Sequence, residues 1–244
     1  MTNFQFILTR LFVLVFVLLM TSCSLFDPCA DVVCENGGMC NEGDCACAEG
    51  YEGESCATYI PVQKRLDNGS RPLELVQKGV PLDSLYGKTY EGGLIFFVNS
   101  EPAQYPKFSG EGLVTTSTDY GNFHQWGCRG VETGASGREV GEGKANTDKV
   151  IAANCTDEAR SFKLVDELIL NGFDDWFMPS IDEVQLIYDN LHAKGHSNFL
   201  GNIRRYQSST EIDSFHFALK PFYKDTVYTM VKFSGDDIRP VREF

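Results

Sequence analysis

The stretch Tyr90-Glu-Gly-Gly-Leu-Ile-Phe-Phe-Val-Asn99 decides how the rest of the chain is read. Its β-branched and aromatic residues predict a buried strand, and Gly112-Leu-Val-Thr-Thr116 predicts a second. A glycine-rich loop follows, with seven glycines from Gly121 to Gly143. Two helices come next. After Thr156, a candidate N-cap, Asp157 and Glu158 fill a first turn, where negative charge complements the helix dipole. Ala159, Phe162, Val165, Leu168 and Ile169 then form one apolar face, ended by Gly172. The second helix starts after Pro179 with Ser180-Ile-Asp-Glu183, the capping-box spacing, and carries Ile181, Val184, Ile187 and Leu191 on one side. Beyond Gly201 the pattern is strand-like again, in Ser214–Leu219, Thr226–Val231 and Ile238–Phe244. Strands at both ends with helices between them predict an α+β domain over residues 85–244.

Upstream, Pro61 to Pro72 is polar and turn-rich, so residues 59–84 read as a linker. Before it, six cysteines fall within 28 residues, spaced Cys29-x4-Cys34-x5-Cys40-x4-Cys45-x-Cys47-x8-Cys56. A segment this short cannot bury a sufficient core, and disulfides supply what the core lacks. Spacing alone leaves about 15 connectivities open. At the start, Arg10 precedes the ten-residue apolar run Leu11–Met20, too short for a bilayer of about 30 Å. Thr21-Ser22-Cys23 follows it at once, so residues 1–22 read as an export signal.

Three resemblances rest on these residues. The leader with Thr21-Ser22-Cys23 resembles a bacterial lipoprotein signal, which implies cleavage before Cys23 and lipidation of its thiol and amine. The chain would then be anchored in the cell envelope, at the outer membrane or cell surface. The six-cysteine pattern, with Asn36-Gly37-Gly38 and the Cys47-x2-Gly50-Tyr51-x-Gly53-x2-Cys56 ending, resembles an EGF-like domain over residues 27–58. That resemblance implies pairing of Cys29 with Cys40, Cys34 with Cys45 and Cys47 with Cys56. Leu25-Phe26-Asp27-Pro28 departs from the acidic consensus of the calcium-binding subtype, so no calcium is expected there. Such a module serves as a spacer or as a recognition surface.

The third resemblance covers Leu82 to Phe244. Pro81–Phe96, Trp126-Gly-Cys128, Gly141–Thr147, Asn171-Gly-Phe-Asp-Asp-Trp-Phe-Met-Pro-Ser180, Asn190–Gly195, Ser208-Ser-Thr-Glu211 and Arg239-Pro-Val-Arg242 resemble, in order, the Lcl C-terminal domain family. It is named for a bacterial collagen-like adhesin and is similar to C-type lectin-like folds. The fold class implied is α+β, a C-type lectin-like domain preceded by a small disulfide-rich EGF-like module. The function implied is non-catalytic binding or adhesion through glycan or surface-protein ligands; the alternatives are an enzyme on an oxidase-like scaffold and a structural subunit of an envelope complex. Where that family commonly carries an aromatic-Trp-Ser-Ser motif, this chain has Tyr206-Gln207-Ser208-Ser209.

Composition narrows the partners. The 244 residues carry 21 Lys+Arg against 34 Asp+Glu, a formal charge of -13, which excludes a basic nucleic-acid binder as the default, since a phosphate backbone is held by clustered Lys and Arg. Eight acidic and no basic residues lie between Cys23 and Tyr59. The remaining head is also net acidic, so neutral glycans or proteins fit better than sulfated polyanions. The membrane is met through the lipid, and homo-oligomerisation stays open.

For ligand contact, His124, Gln125 and Trp126 stand at the start of the glycine-rich loop, and long ordered loops on a rigid scaffold favour binding. Trp126 can stack on a pyranose while His124 or Gln125 bonds hydroxyls. It can instead fill the core beside Cys128, the reading that Trp-Gly-Cys favours. Gln207, Ser209 and Glu211 form the second candidate cluster. Cys128 and Cys155, the two thiols left over, are expected to pair. The alternative is a redox or copper site on a scaffold like the formylglycine-generating oxidases, but neither cysteine stands in a matching motif. His192-x3-His196 has zinc spacing without the Glu of His-Glu-x-x-His and reads as a helix end. Glu101-Pro102-Ala103 and Asp174-Asp175-Trp176 only partly match the lectin calcium loops; Trp176 reads as core and Asp175 as a turn residue. Arg239 and Arg242 either bind ligand or pair with buried carboxylates. No nucleophile triad, phosphate loop or glycosidase carboxylate pair is present, and no cofactor or metal is expected.

Overall fold

The computed structural model describes residues 27–155, 159–196 and 204–244. The leader and Cys23 lie outside them, as does the Thr156-Asp157-Glu158 cap. No helix among the described residues is long and apolar enough to cross a membrane. The chain forms two units, one ending at Ile60 and one running from Pro61 to Phe244.

The first unit is two short hairpins, β1 (Met39–Asn41) with β2 (Asp44–Ala46) and β3 (Tyr51–Glu52) with β4 (Thr58–Tyr59). Disulfides join Cys29 to Cys40, Cys34 to Cys45 and Cys47 to Cys56. They stand in for a core, since Cys56 is the buried hydrophobic residue among this unit's described residues. Gly38 is forced by this crowding: a Cβ there would lie 2.8 Å from the Cys56 sulfur.

The second unit is mostly sheet with a few short helices. It opens with α1 (Val62–Asp67) and α2 (Pro72–Gln77), in the interval read as a linker. That reading is corrected by burial, since Val62, Leu66 and Leu75 join the same core as Ile95 and Phe96. The Gln63 side chain also bonds the Thr89 backbone twice, at 2.9 Å each. Turn-forming residues dominate the composition here, and three spaced apolar side chains outweigh them once a core is available to receive them.

The long strand read over Tyr90–Asn99 is a hairpin. β5 (Thr89–Tyr90) turns through Glu91 and Gly92, both at positive φ, into β6 (Gly93–Val98). β7 (Gly112–Thr115) pairs with β6, and the last strand, β13 (Val241–Glu243), closes onto β7, giving a sheet ordered β13-β7-β6-β5. The other sheet has the order β11-β10-β9-β12-β8. Its strands are β8 (Tyr120–Gln125), β9 (Arg205–Glu211), β10 (His216–Pro221), β11 (Tyr228–Val231) and β12 (Gly235–Ile238). The C-terminal stretch read as one strand is therefore split between the sheets at Arg239-Pro240.

Between β8 and β9 run α3 (Gly143–Ala152), α4 (Arg160–Asp166) and α5 (Ile181–Ile187), the last continued by a π turn over Tyr188–His192. α3 begins at the end of the stretch read as a glycine-rich loop. α4 buries Phe162 and Val165, but Ile169 lies beyond its end and is 75% exposed, so the apolar face stops at Leu168. α5 has the expected capping box: the Ser180 hydroxyl accepts from the Glu183 N–H, and the Glu183 carboxylate accepts from the Ser180 N–H. The Cys128–Cys155 disulfide ties the end of β8 to the segment before α4.

Candidate functional site

The two clusters named from sequence meet where the end of β8 bonds to β9 across β12, through Trp126 Nε1 to Ser208 O and the Gln207 amide to His124 O, but most of their side chains are spent on structure. Trp126 is fully buried, edge-on to Phe162 at 4.8 Å and stacked on Phe217 at 5.8 Å, with its indole N–H donating to the Ser208 carbonyl at 2.9 Å. Gly127 behind it admits no side chain, because a Cβ would meet Ala159 Cα at 2.4 Å. The Gln207 amide donates to the carbonyls of His124 and Asp236. Ser209 donates to Pro179 O and accepts from Asn146. Glu211 takes the N–H groups of Thr133 and Gly134 and pairs with Lys232, whose Nζ also reaches Val131 O and lies 4.7 Å from the Trp126 ring.

The ligand-contact reading is thus corrected for Trp126, Gln207, Ser209 and Glu211. β9 is an interior strand with both faces covered, so side chains on both sides of the pleat are enclosed. His124 is half-buried and Gln125 exposed; of the six, these two keep surface. His192 packs between Tyr188 and Phe222 rather than forming a metal pair with His196. Among the described residues no group of three His, Cys, Asp or Glu is placed to hold a metal. Trp176 is buried with its N–H on Phe173 O. Arg239 and Arg242 bond carboxylates: Arg239 pairs with Asp119 at 2.8 Å, both side chains 1% exposed, and Arg242 holds Asp175 and Glu91.

The cleft with binding chemistry lies beside these residues. It has a volume of about 530 Å³ and is lined by Phe123, Arg204, Arg205, Tyr223, Asp236 and Asp237. Arg204 pairs with Asp237 at 3.2 Å and Arg205 with Asp236 at 2.5 Å. The carboxylates sit at the base, each 2% exposed, and the guanidinium groups reach partly into solvent. Strict alternation along β12 would send Asp236 and Asp237 to opposite faces. A register shift between Asp236 and Ile238 breaks that alternation, as β-bulges do near functional sites. Burial raises both carboxyls above their ordinary range, and the arginines and the Ser234 hydroxyl oppose it.

At the rim stand two aromatic rings. Phe123 is 65% exposed and Tyr223 about half exposed. Phe123 adopts φ +58°, a conformation costly for a bulky residue, and the Arg204 guanidinium lies 5.6 Å from its ring. The cleft therefore offers flat apolar faces, charge-balanced hydrogen-bond donors and acceptors, and free access. Its signal in the sequence is a pair of adjacent arginines, Arg204-Arg205, and a matching pair of adjacent acids, Asp236-Asp237; no motif joins them. The chain matches no family model and no curated protein.

Proposed function

We propose that this chain is a lipid-anchored, non-catalytic envelope protein whose EGF-like module carries a C-type lectin-like head, and that the head binds neutral glycan in the Phe123–Tyr223 cleft. The observation that carries the reading is Phe123, a large ring held out of the core in a strained backbone conformation above two Arg–Asp pairs. Saccharides are bound by stacking an aromatic ring on the pyranose face while planar polar side chains bond the hydroxyls. Arg204, Arg205, Asp236 and Asp237 supply both donors and acceptors with no net charge, which suits an uncharged, hydroxylated ligand. Each carboxylate is committed to an arginine, an arrangement that orients a ligand rather than passing protons, and this favours binding over an oxidase or hydrolase. A protein ligand on the same surface is the second reading, favoured by the exposed aromatic rim.

The test is a broad glycan array probed with the detergent-solubilised chain, with calcium and again with chelator. Specific signal lost on Phe123→Ala and on Arg205→Gln, in variants that stay folded, supports the reading. A blank array in both conditions sinks glycan binding and leaves pull-down from envelope extracts to look for the protein ligand.

A further inference from the structure

A second concave surface shares no lining residue with the Phe123 cleft. Two clefts, of about 330 and 250 Å³, share Gln104, Tyr105 and Leu186 and so run together as one groove. It is formed by the 3₁₀ turn Pro102–Gln104 and the exposed side of α5. Its walls mix apolar side chains, Val140 in one cleft and Tyr86 in the other with Leu186 and Tyr105 in both, with neutral polar ones such as Gln104 and Gln185. Its charged lining is of one sign: Glu139 and Asp182 in one cleft and Glu101 in the other, with no Lys, Arg or His among the lining side chains of either.

Nearby charges leave this balance negative. Arg138 lowers, and Glu139 and Glu142 raise, the Asp182 carboxyl, while burial raises it most. Glu101 accepts from the Gln104 amide rather than from a cation. At the far end Lys194 is tied to Asp83 and lies 5.1 Å from the Tyr86 ring.

We propose that this groove binds an extended cationic peptide segment of a partner protein, with an aliphatic side chain seated against Leu186 and Tyr105 and Lys or Arg side chains reaching Asp182, Glu139 and Glu101. Charge complementarity names the sign of the occupant, and ring geometry names its class. The tyrosines leave little free ring face for a sugar: Tyr86 is buried under Lys194, and Tyr105 is half-buried in a T-shaped contact with Phe97 at 4.7 Å. An aliphatic side chain needs only the apolar volume, and an extended peptide places alternate side chains on one side, as the two clefts flanking Tyr105 require.

Fluorescence anisotropy with the full chain tests this, using labelled, end-blocked Lys-Leu-Lys-Leu-Lys, its Glu-Leu counterpart and a chitosan pentamer as probes. The expected result is binding of the lysine peptide alone, weakened several-fold as salt rises from about 0.05 to about 0.5 M. Glu139→Gln with Asp182→Asn weakens it by about tenfold or more. Glu139→Gln alone, a position outside any helix, gives a smaller loss in the same direction, and Phe123→Ala leaves it unchanged. Equal binding of both peptides, no binding of either, or insensitivity to the Glu139 and Asp182 changes overturns the proposal. Tighter binding of the chitosan pentamer than of the lysine peptide overturns the peptide assignment. A failed glycan array with a bound lysine peptide would fault only the Phe123 cleft.

Discussion

Phe123 and Trp126 stand three positions apart at the end of β8 and have opposite fates. Trp126 is enclosed by Phe162, Phe217 and the Lys232 ammonium, so Trp126→Ala is expected to cost about 3–5 kcal/mol, read as a fall in the urea midpoint. Phe123→Ala removes an exposed ring; its urea midpoint should stay within error of the parent while glycan signal disappears. A midpoint loss as large as that of Trp126→Ala would place Phe123 in the core and remove it from the site. Glu211 and Lys232 form the other residue-scale test, since both are buried and Glu211 also holds the Thr133 and Gly134 N–H groups. Breaking one side of such a pair leaves a buried charge, so Lys232→Met should destabilise by about 3 kcal/mol. Amide exchange at Thr133 and Gly134 should remain slow in that variant and become fast in Glu211→Ala. Trp-Gly-Cys spacing already pointed Trp126 inward; nothing local marked Phe123, because its exposure follows from a backbone conformation that short-range preferences disfavour.

At the scale of elements, α5 was legible because its start is local chemistry. Ser180 and Glu183 satisfy each other's backbone N–H groups whatever surrounds them. Its pH behaviour is not local. Gly141 and Ser180 N–H groups donate to the Glu183 carboxylate, but full burial outweighs them and pushes its carboxyl from 4.5 up to about 7. Between those values the folded chain holds a proton that the unfolded chain has released, so stability falls as pH rises through this window and is greatest below it. The loss is up to about 3 kcal/mol from this group. Asp236, Asp237 and Glu243 are also raised by burial and add to the slope in the same direction. Glu183→Gln, which keeps the acceptor oxygen of the cap, should flatten the melting temperature between about pH 5 and 7; an unchanged slope would mean that Glu183 stays ionised in the fold. β9 was illegible by contrast. Arg205-Tyr-Gln-Ser-Ser-Thr-Glu211 is polar throughout, and it is a central strand because Pro179 O, the Gly137 and Ala218 carbonyls, and the His124 carbonyl receive its side chains.

At the scale of the whole molecule the two units depend on covalent bonds to different degrees. Among its described residues the first has three disulfides and almost no buried apolar surface; the second has one disulfide and a continuous core. Under reductant, glutamate-specific proteolysis should cut at Glu35, Glu42, Glu49, Glu52 or Glu54 while the second unit stays resistant, since its core does not need the bridge. Loss of the Cys128–Cys155 bond, with a sequence separation of 27, should still lower the melting temperature of the second unit, by an amount corresponding to about 3 kcal/mol. Simultaneous digestion of both units on mild reduction would show that the core is not self-sufficient.

What the sequence showed by itself depends on near neighbours: the dense cysteine spacing, the α5 cap and the buried run at Ile95–Val98. Tertiary structure alone decided which polar residues face solvent. Gln207, Ser209 and Glu211 look like ligand contacts in one dimension and are enclosed because distant segments close over β9. Arg204-Arg205 and Asp236-Asp237 lie some thirty positions apart and become one cleft only when β12 inserts between β9 and β8. The physical reason is the same in each case: hydrogen-bond partners and exclusion from water are set by contacts of long sequence separation, and no local pattern encodes them.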